Sequence, residues 1–143
     1  IRARPHVHSS PPTVTMPADL VDKIYIGYNA PYALGNMLAP QAFEPIMPKL
    51  VEDKKTRKMM NFVGVMSTAA VATHVVSLSA DKPTKAKLDV IAGASTLGVA
   101  GFLANFDSQT EFGGPAPDAF KWGNVATNVV LGAALIKKGM DNM

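Results

Sequence analysis

A run of 22 residues, from Met59 to Ala80 (MMNFVGVMSTAAVATHVVSLSA), contains no Asp, Glu, Lys or Arg. Basic residues crowd its front end, and Asp81-Lys82-Pro83 closes its back end. Because a helix rises about 1.5 Å per residue, roughly 20 helical residues cross the hydrocarbon core of a bilayer. The run therefore predicts a membrane-spanning helix. A soluble helical bundle is the alternative, but it needs a polar face on each helix, and this run has none of any width.

Three further apolar stretches complete a predicted all-α, four-span transmembrane bundle over residues 18–143. The spans are placed at about 20–43, 59–80, 88–106 and 119–138. The first is interrupted by Gly and Pro and is predicted to be a kinked helix that ends near Pro40. Asp19 and Asp22 suit its start, where the helix dipole favours acids. The short connections after the second and third spans favour antiparallel neighbours, which places both termini on one side.

Residues 1–17 are predicted to form an extended N-terminal arm. Pro5, Pro11, Pro12 and Pro17 prevent a continuous helix there, because each lacks an N–H donor and disfavours helix in the residue before it. A start at Ile1 is what removal of a presequence would leave, although a fragment boundary would explain it equally well. The arm is expected to lie along a partner or a membrane surface.

Small residues at four-residue spacing predict close packing of these helices. Gly64, Thr68 and Ala72 recur at this spacing in the second span, and Ala94 and Gly98 do so in the third. In lipid, such residues let helix backbones approach closely.

Composition removes several classes of function. The chain has no cysteine, so disulfides and thiolate chemistry are excluded. Charged residues make up 17%, the net charge is +3, and the basic residues flank apolar segments instead of forming a stripe, so no nucleic-acid partner is expected. No catalytic or phosphate-binding motif is found, and all acids lie outside or at the ends of the spans. The sequence therefore predicts a protein that is not an enzyme.

His74 is the sharpest candidate for chemistry, because an ionisable residue within a membrane helix is costly and often functional. A neutral imidazole can be the axial ligand of a chlorophyll magnesium or a haem iron. It can equally make a structural hydrogen bond between helices, and both interpretations stay open.

Three other residues are candidates for binding a pigment. Asn128 within the fourth span and Asn36 in the first carry amides that can ligate magnesium or bond to pigment carbonyls, although amides more often bond between helices. Glu44 lies near an interface and is either a ligand or, more simply, a loop anion. His6 and His8 have a spacing that suits a surface metal but lack a third ligand.

Two resemblances accompany these residues. The first half, with its Ala39-Pro40-Gln41-Ala42 turn followed by a basic loop, looks like small four-helix membrane proteins of the DoxX-like kind. The whole chain, with its Pro-rich arm and small-residue helices, is similar to linker subunits of algal photosystem–light-harvesting supercomplexes. That second resemblance implies a thylakoid location, contacts with the photosystem core and antenna subunits, and bound chlorophyll, carotenoid and structural lipids. The Glu-x-x-His or Glu-x-x-Asn signature of ordinary antenna proteins is absent.

We therefore expect a non-catalytic structural subunit that links a photosystem to its antenna in the plastid thylakoid membrane. Two alternatives remain: an accessory subunit of a respiratory complex in the mitochondrial inner membrane, and a DoxX-like membrane enzyme or redox helper. The latter predicts a polar pocket between helices around His74 and Asn128.

Overall fold

The computed structural model describes residues 19–45, 52–105 and 117–143, and within them it contains helices and no strand. Helix α1 covers Leu20–Leu38, a short 3₁₀ helix covers Pro40–Phe43, α2 covers Lys54–Ser77, α3 covers Lys82–Asn105 and α4 covers Pro117–Asp141. The prediction of an all-α chain is confirmed. The predicted arm, His6 and His8 lie outside the described residues.

Helix α1 begins with a reciprocal cap. The Asp22 N–H donates to Asp19 Oδ1 at 3.0 Å, and the Asp19 N–H donates to Asp22 Oδ2 at 3.4 Å. This satisfies donors that every helix start leaves without a partner inside the helix. Pro31 is accommodated within the helix, which ends at Leu38, and Pro40 then begins the 3₁₀ helix. The 3₁₀ helix brings Phe43 back over α1, where its ring stacks on Tyr32 with centroids 6.0 Å apart.

The four helices form two tightly packed pairs, α1 with α2 and α3 with α4, and the contacts between the pairs are much sparser. Glycines permit the close approach within each pair. A Cβ added at Gly64 would lie 2.6 Å from the Met37 amide nitrogen, and one at Gly93 would lie 2.6 Å from the Gly132 carbonyl oxygen. Gly139 approaches α3 in the same way, beside the Ala86 carbonyl.

The predicted small-residue packing is therefore correct for Gly64 and wrong for the third span. Ala94 is exposed, and a Cβ at Gly98 would meet nothing within 4 Å, because both face away from α4. The contact uses Gly93 instead, one position earlier. Ala72 is also exposed, and the Thr68 hydroxyl donates to the Gly64 carbonyl of its own helix at 2.8 Å.

The turn between α2 and α3 carries a cap for α3. The Thr84 N–H donates to Asp81 Oδ2 at 3.2 Å. Hydrogen bonds from the side chain and then the backbone of Thr84 hold the pKa of the exposed Asp81 carboxyl below its ordinary value of 3.8. The carboxylate thus stabilises the helix start in its charged form.

Within the described residues, two helices are long and apolar enough to cross a membrane, over Met60–Ser77 and Lys82–Asn105. Helix α3 begins six residues before the predicted 88–106 span and so also includes Lys85, while Asp89 lies at the start of the predicted span.

Candidate functional site

Charged side chains from all four helices meet at one end of the bundle. Asp22 comes from the start of α1, His74 from the end of α2, Lys85 and Asp89 from the start of α3, and Lys138 from the end of α4. Starts and ends alternate because successive helices run antiparallel. We call these five residues the ion cluster. Four of them are buried with residue exposures of 0–3%, and the Lys138 side chain is 11% exposed.

Asp22 Oδ1 is the centre of the ion cluster. It accepts from Lys138 Nζ at 2.6 Å, from His74 Nε2 at 3.0 Å and from Lys85 Nζ at 3.2 Å. One oxygen of a single carboxylate therefore connects α1 to each of the other three helices. Charge-assisted hydrogen bonds of this kind are the strong ones, and their number here compensates the burial of Asp22.

The Asp89 carboxylate provides a second negative charge for the ammonium groups of Lys85 and Lys138. Lys85 Nζ donates to its two oxygens at 2.9 and 3.0 Å, and Lys138 Nζ lies 3.2 Å from Oδ2. Lys138 also reaches the half-exposed Asp19 at 3.0 Å, which opens the cluster towards solvent. Two ammonium groups, the buried one of Lys85 and the partly exposed one of Lys138, thus face two buried carboxylates, and the cluster is close to neutral with an uncharged His74.

The His74 imidazole is held on one side only. Its Nε2 faces the Asp22 carboxylate, and its ring lies against the Tyr25 ring with centroids 4.5 Å apart. A carboxylate that already accepts from two ammonium groups accepts from His74 too, so Nε2 carries the proton. In the neutral ring the other nitrogen, Nδ1, is then an acceptor. Nδ1 is buried and has no hydrogen-bond partner among the described residues.

The ion cluster has the composition of a metal site but not the charge of one. One ligand atom each from Asp22, His74 and Asp89 lies within 4.8 Å of the others. The ammonium groups of Lys85 and Lys138 already bind these carboxylates at 2.6–3.2 Å. A divalent cation would have to displace both of these positive charges, so the arrangement is an ion-pair network.

A cleft of about 150 Å³ lies beside His74, at the sparse contact between α2 and α3. Its wall is mainly apolar, and Tyr25 of α1 contributes to it. The other lining residues come from the two flanking helices: Ala70, Thr73, His74, Leu88, Ile91, Ala92 and Ser95. The cleft joins the apolar outer surface to the one side chain of the ion cluster that has an unused polar atom.

The other predicted ligands lie elsewhere. Asn128 is buried in α4 and donates to the Asn124 carbonyl at 2.8 Å. Asn36 is buried in α1 near the crossing with Gly64, and its Oδ1 has no partner in the described part of the chain. Glu44 is exposed after the 3₁₀ helix. The structure brings none of these three together with His74.

Sequence reasoning missed Asp22, Lys85, Asp89 and Lys138 as members of a site. The sequence predicts only that Asp22 is an acid at a helix start, which is correct for its position but does not indicate its burial. Two signals were present. Lys85 and Asp89 are four residues apart, which puts them on one helix face, and antiparallel spans bring the start of α1 and α3 to the ends of α2 and α4.

No family model, curated protein or solved structure matches this chain.

Proposed function

We propose that this chain is an integral membrane protein of four helices and a non-catalytic structural subunit of a larger membrane complex. The observation that carries the proposal is the outer surface of α2 and α3. Large apolar side chains are exposed along both helices, including Phe62 at 65%, Val76 at 73% and Phe102 at 59%. Only 22% of the residues in each of the two membrane-length segments are buried within the protein.

A soluble core helix buries most of its apolar residues, so these surfaces call for lipid or a neighbouring subunit. The membrane spans then include α1 and α4 as well, because each is packed against one of these two helices along glycine-lined contacts. The ion cluster at one end suits a position near the membrane–water boundary, where Asp19 and Lys138 reach solvent.

The hydrogen bonding within the ion cluster favours a structural role over catalysis. Its ammonium and carboxylate groups bind one another at 2.6–3.2 Å, so their hydrogen-bonding capacity is spent on joining helices. The complex that we propose is a thylakoid photosystem with its antenna, on the strength of the Pro-rich arm and the small-residue helices. In that setting the apolar faces of α2 and α3 contact neighbouring subunits, pigments and lipids.

Extraction of native membranes at alkaline pH tests the membrane assignment. The protein is expected to stay in the pellet after a carbonate wash that removes peripheral proteins, and detergent is expected to release it. Recovery in the carbonate supernatant would refute the four-span arrangement.

Fractionation of organelles tests the complex. After mild detergent treatment of thylakoids, the protein is expected to sediment with the photosystem–antenna particle, and its deletion is expected to detach antenna while leaving the photosystem core intact. Enrichment in mitochondrial membranes with a respiratory complex would replace this assignment and leave the membrane proposal standing.

A further inference from the structure

We propose that the cleft between α2 and α3 binds a lipophilic molecule whose polar end carries a hydroxyl group, and that this hydroxyl donates to His74 Nδ1. The inference rests on the proposed placement of the chain in a membrane, because the cleft opens onto the apolar surface of these helices. It deepens that proposal by naming a site, an atom and a class of ligand.

His74 Nδ1 is a hydrogen-bond acceptor without a donor among the described residues. His74 Nε2 donates to Asp22 Oδ1 over a distance of 3.0 Å between the two atoms, which leaves a lone pair on Nδ1 of the neutral ring. Native structures satisfy nearly all buried polar atoms, and each exception requires an explanation. A buried acceptor without a donor destabilises the folded protein. A ligand that supplies one donor at this point removes that destabilisation.

The cleft beside His74 has the composition of a binding site for a lipophilic molecule. His74 is 3% exposed and lines a cleft whose other walls are mostly aliphatic, with Leu88, Ile91 and Ala92 on α3. The pairs α1–α2 and α3–α4 pack closely, whereas α2 and α3 contact each other sparsely at this seam. Sites for small molecules combine an apolar wall with few, well-placed polar groups.

The size of the cleft favours a ligand with a small polar end. A hydroxyl oxygen is one atom wide, so it needs far less room beside the buried Nδ1 than a macrocycle does. A tetrapyrrole that bound its magnesium to Nδ1 would need a flat opening as wide as the macrocycle around that atom. Nδ1 is buried and the cleft measures about 150 Å³, so the hydroxyl is the better match.

The probes are decylhydroquinone and its dimethyl ether, which share ring and tail and differ in the hydroxyl donors. Each is titrated into the ¹⁵N-labelled full chain in lipid nanodiscs, and binding is followed by NMR. The hydroquinone is expected to bind about three- to tenfold more tightly than the ether, as one net hydrogen bond predicts. It is also expected to move the Nδ1 resonance of His74. Equal affinity of the two probes, or an Nδ1 resonance that saturation leaves unmoved, would overturn the proposal.

Two matched variants locate the site. Ala92→Phe fills the cleft and is expected to abolish binding of both probes, whereas Ala94→Phe, two residues away on the exposed face of α3, is expected to bind like the parent. Equal helical content and unfolding temperature of the two variants show that each is folded. Binding by Ala92→Phe at parental affinity would place the ligand elsewhere and reject the cleft.

His74→Gln separates the acceptor from the ion cluster. A glutamine amide can still donate to Asp22 from near the Nε2 position, but it has no acceptor where Nδ1 was. In this variant the affinity for decylhydroquinone is expected to fall towards that for its dimethyl ether, while the affinity for the ether stays as in the parent. An unchanged preference for the hydroquinone would contradict the assignment of Nδ1.

A second arm identifies the source of the hydroxyl. A dihydroxy carotenoid is compared with its hydrocarbon counterpart, and a sterol with its methyl ether, in the same nanodiscs. Tightest binding by one hydroxylated partner names the natural class. If both members of every pair bind equally, the cleft proposal fails even when carbonate extraction confirms a membrane protein, so the two proposals fail separately.

Discussion

Asp22 Oδ1 and His74 Nε2 are 3.0 Å apart, although 52 positions separate the two residues in the chain. This contact gives each residue a role that its position in the sequence does not indicate. Asp22 is a helix-capping acid by sequence, and His74 is a lone histidine in an apolar run. Together with Lys85, Asp89 and Lys138 they form the point at which all four helices meet.

Asp22→Asn is expected to be strongly destabilising. The neutral amide leaves Lys85 and Lys138 facing a single buried carboxylate, Asp89. Breaking a buried ion pair by removing one partner costs about 3–5 kcal/mol. Thermal unfolding in detergent, followed by circular dichroism, measures the loss.

The control for this change is Asp141→Asn, which breaks the exposed pair with Lys137, whose side chains are 76% and 58% accessible. Exposed pairs contribute about 0–1 kcal/mol. Similar losses for the two variants would show that the ion cluster is not a buried network.

Removal of Lys85 and Asp89 together is expected to cost less than removal of Lys85 alone. Lys85→Met leaves two buried carboxylates, Asp22 and Asp89, for one ammonium, whereas the double variant Lys85→Met/Asp89→Leu restores one of each. The double-variant cycle is expected to give a coupling free energy of about 0.5–3 kcal/mol. Strictly additive losses would mean that the two residues act independently, contrary to their 2.9 Å contact.

Gly93→Ala is expected to loosen the α3–α4 pair. The added methyl would lie 2.6 Å from the Gly132 carbonyl oxygen and 2.7 Å from the Ile136 side chain, so the helices must move apart. Overpacking of this kind costs about 1–3 kcal/mol. Unfolding of the purified protein in detergent provides the measurement.

Gly98→Ala is the matched comparison on the same helix, because nothing lies within 4 Å of its Cβ position. Alanine favours helix over glycine by about 0.8–1.0 kcal/mol. The variant is therefore expected to be neutral or more stable than the parent. A loss as large as that of Gly93→Ala would mean that Gly98 is also part of a close helix contact.

The cap at Asp81 predicts a dependence of α3 on pH. Because the folded-state pKa lies below the ordinary 3.8, the charged cap stabilises the helix above that value, and the contribution is lost as pH falls through the folded-state pKa. The protection factors of amides in the first turn of α3, which correct the observed exchange for the slower intrinsic exchange in acid, are expected to fall over that acid range. Asp81→Asn keeps the cap without titrating, and its protection factors should show a smaller pH dependence over the same interval.

Helix content and the number of helices were predictable, because uncharged runs bounded by charges and proline define each segment. The boundary of α3 was not. Lys85 and Asp89 look like solvent-facing residues until the antiparallel partners Asp22 and Lys138 are placed beside them. The sequence pattern also could not predict that Gly93, and not Gly98, contacts α4. Several small residues lie along α3, and only the position of α4 decides which of them it contacts.

His74 shows the same limit in the site. Its position in an apolar run marks it as a candidate, but the pattern could not say which of its nitrogens makes a hydrogen bond. The nitrogen that is bonded depends on the position of Asp22, which lies on another helix. The predicted binding roles of Asn128, Asn36 and Glu44 stay predictions, and the structure places each of them away from His74.

The division into an α1–α2 pair and an α3–α4 pair has a consequence for how the protein is made. Each pair consists of helices that follow one another in the chain, so the first can close as a hairpin before the second has left the ribosome. The two pairs are joined by ion pairs between Asp22 on the first pair and Lys85, Asp89 and Lys138 on the second. This set of ion pairs is complete only when the last helix has been made. Until that moment Asp22 lacks Lys138, its nearest cation, which makes docking of the second hairpin the step that commits the chain to its final form.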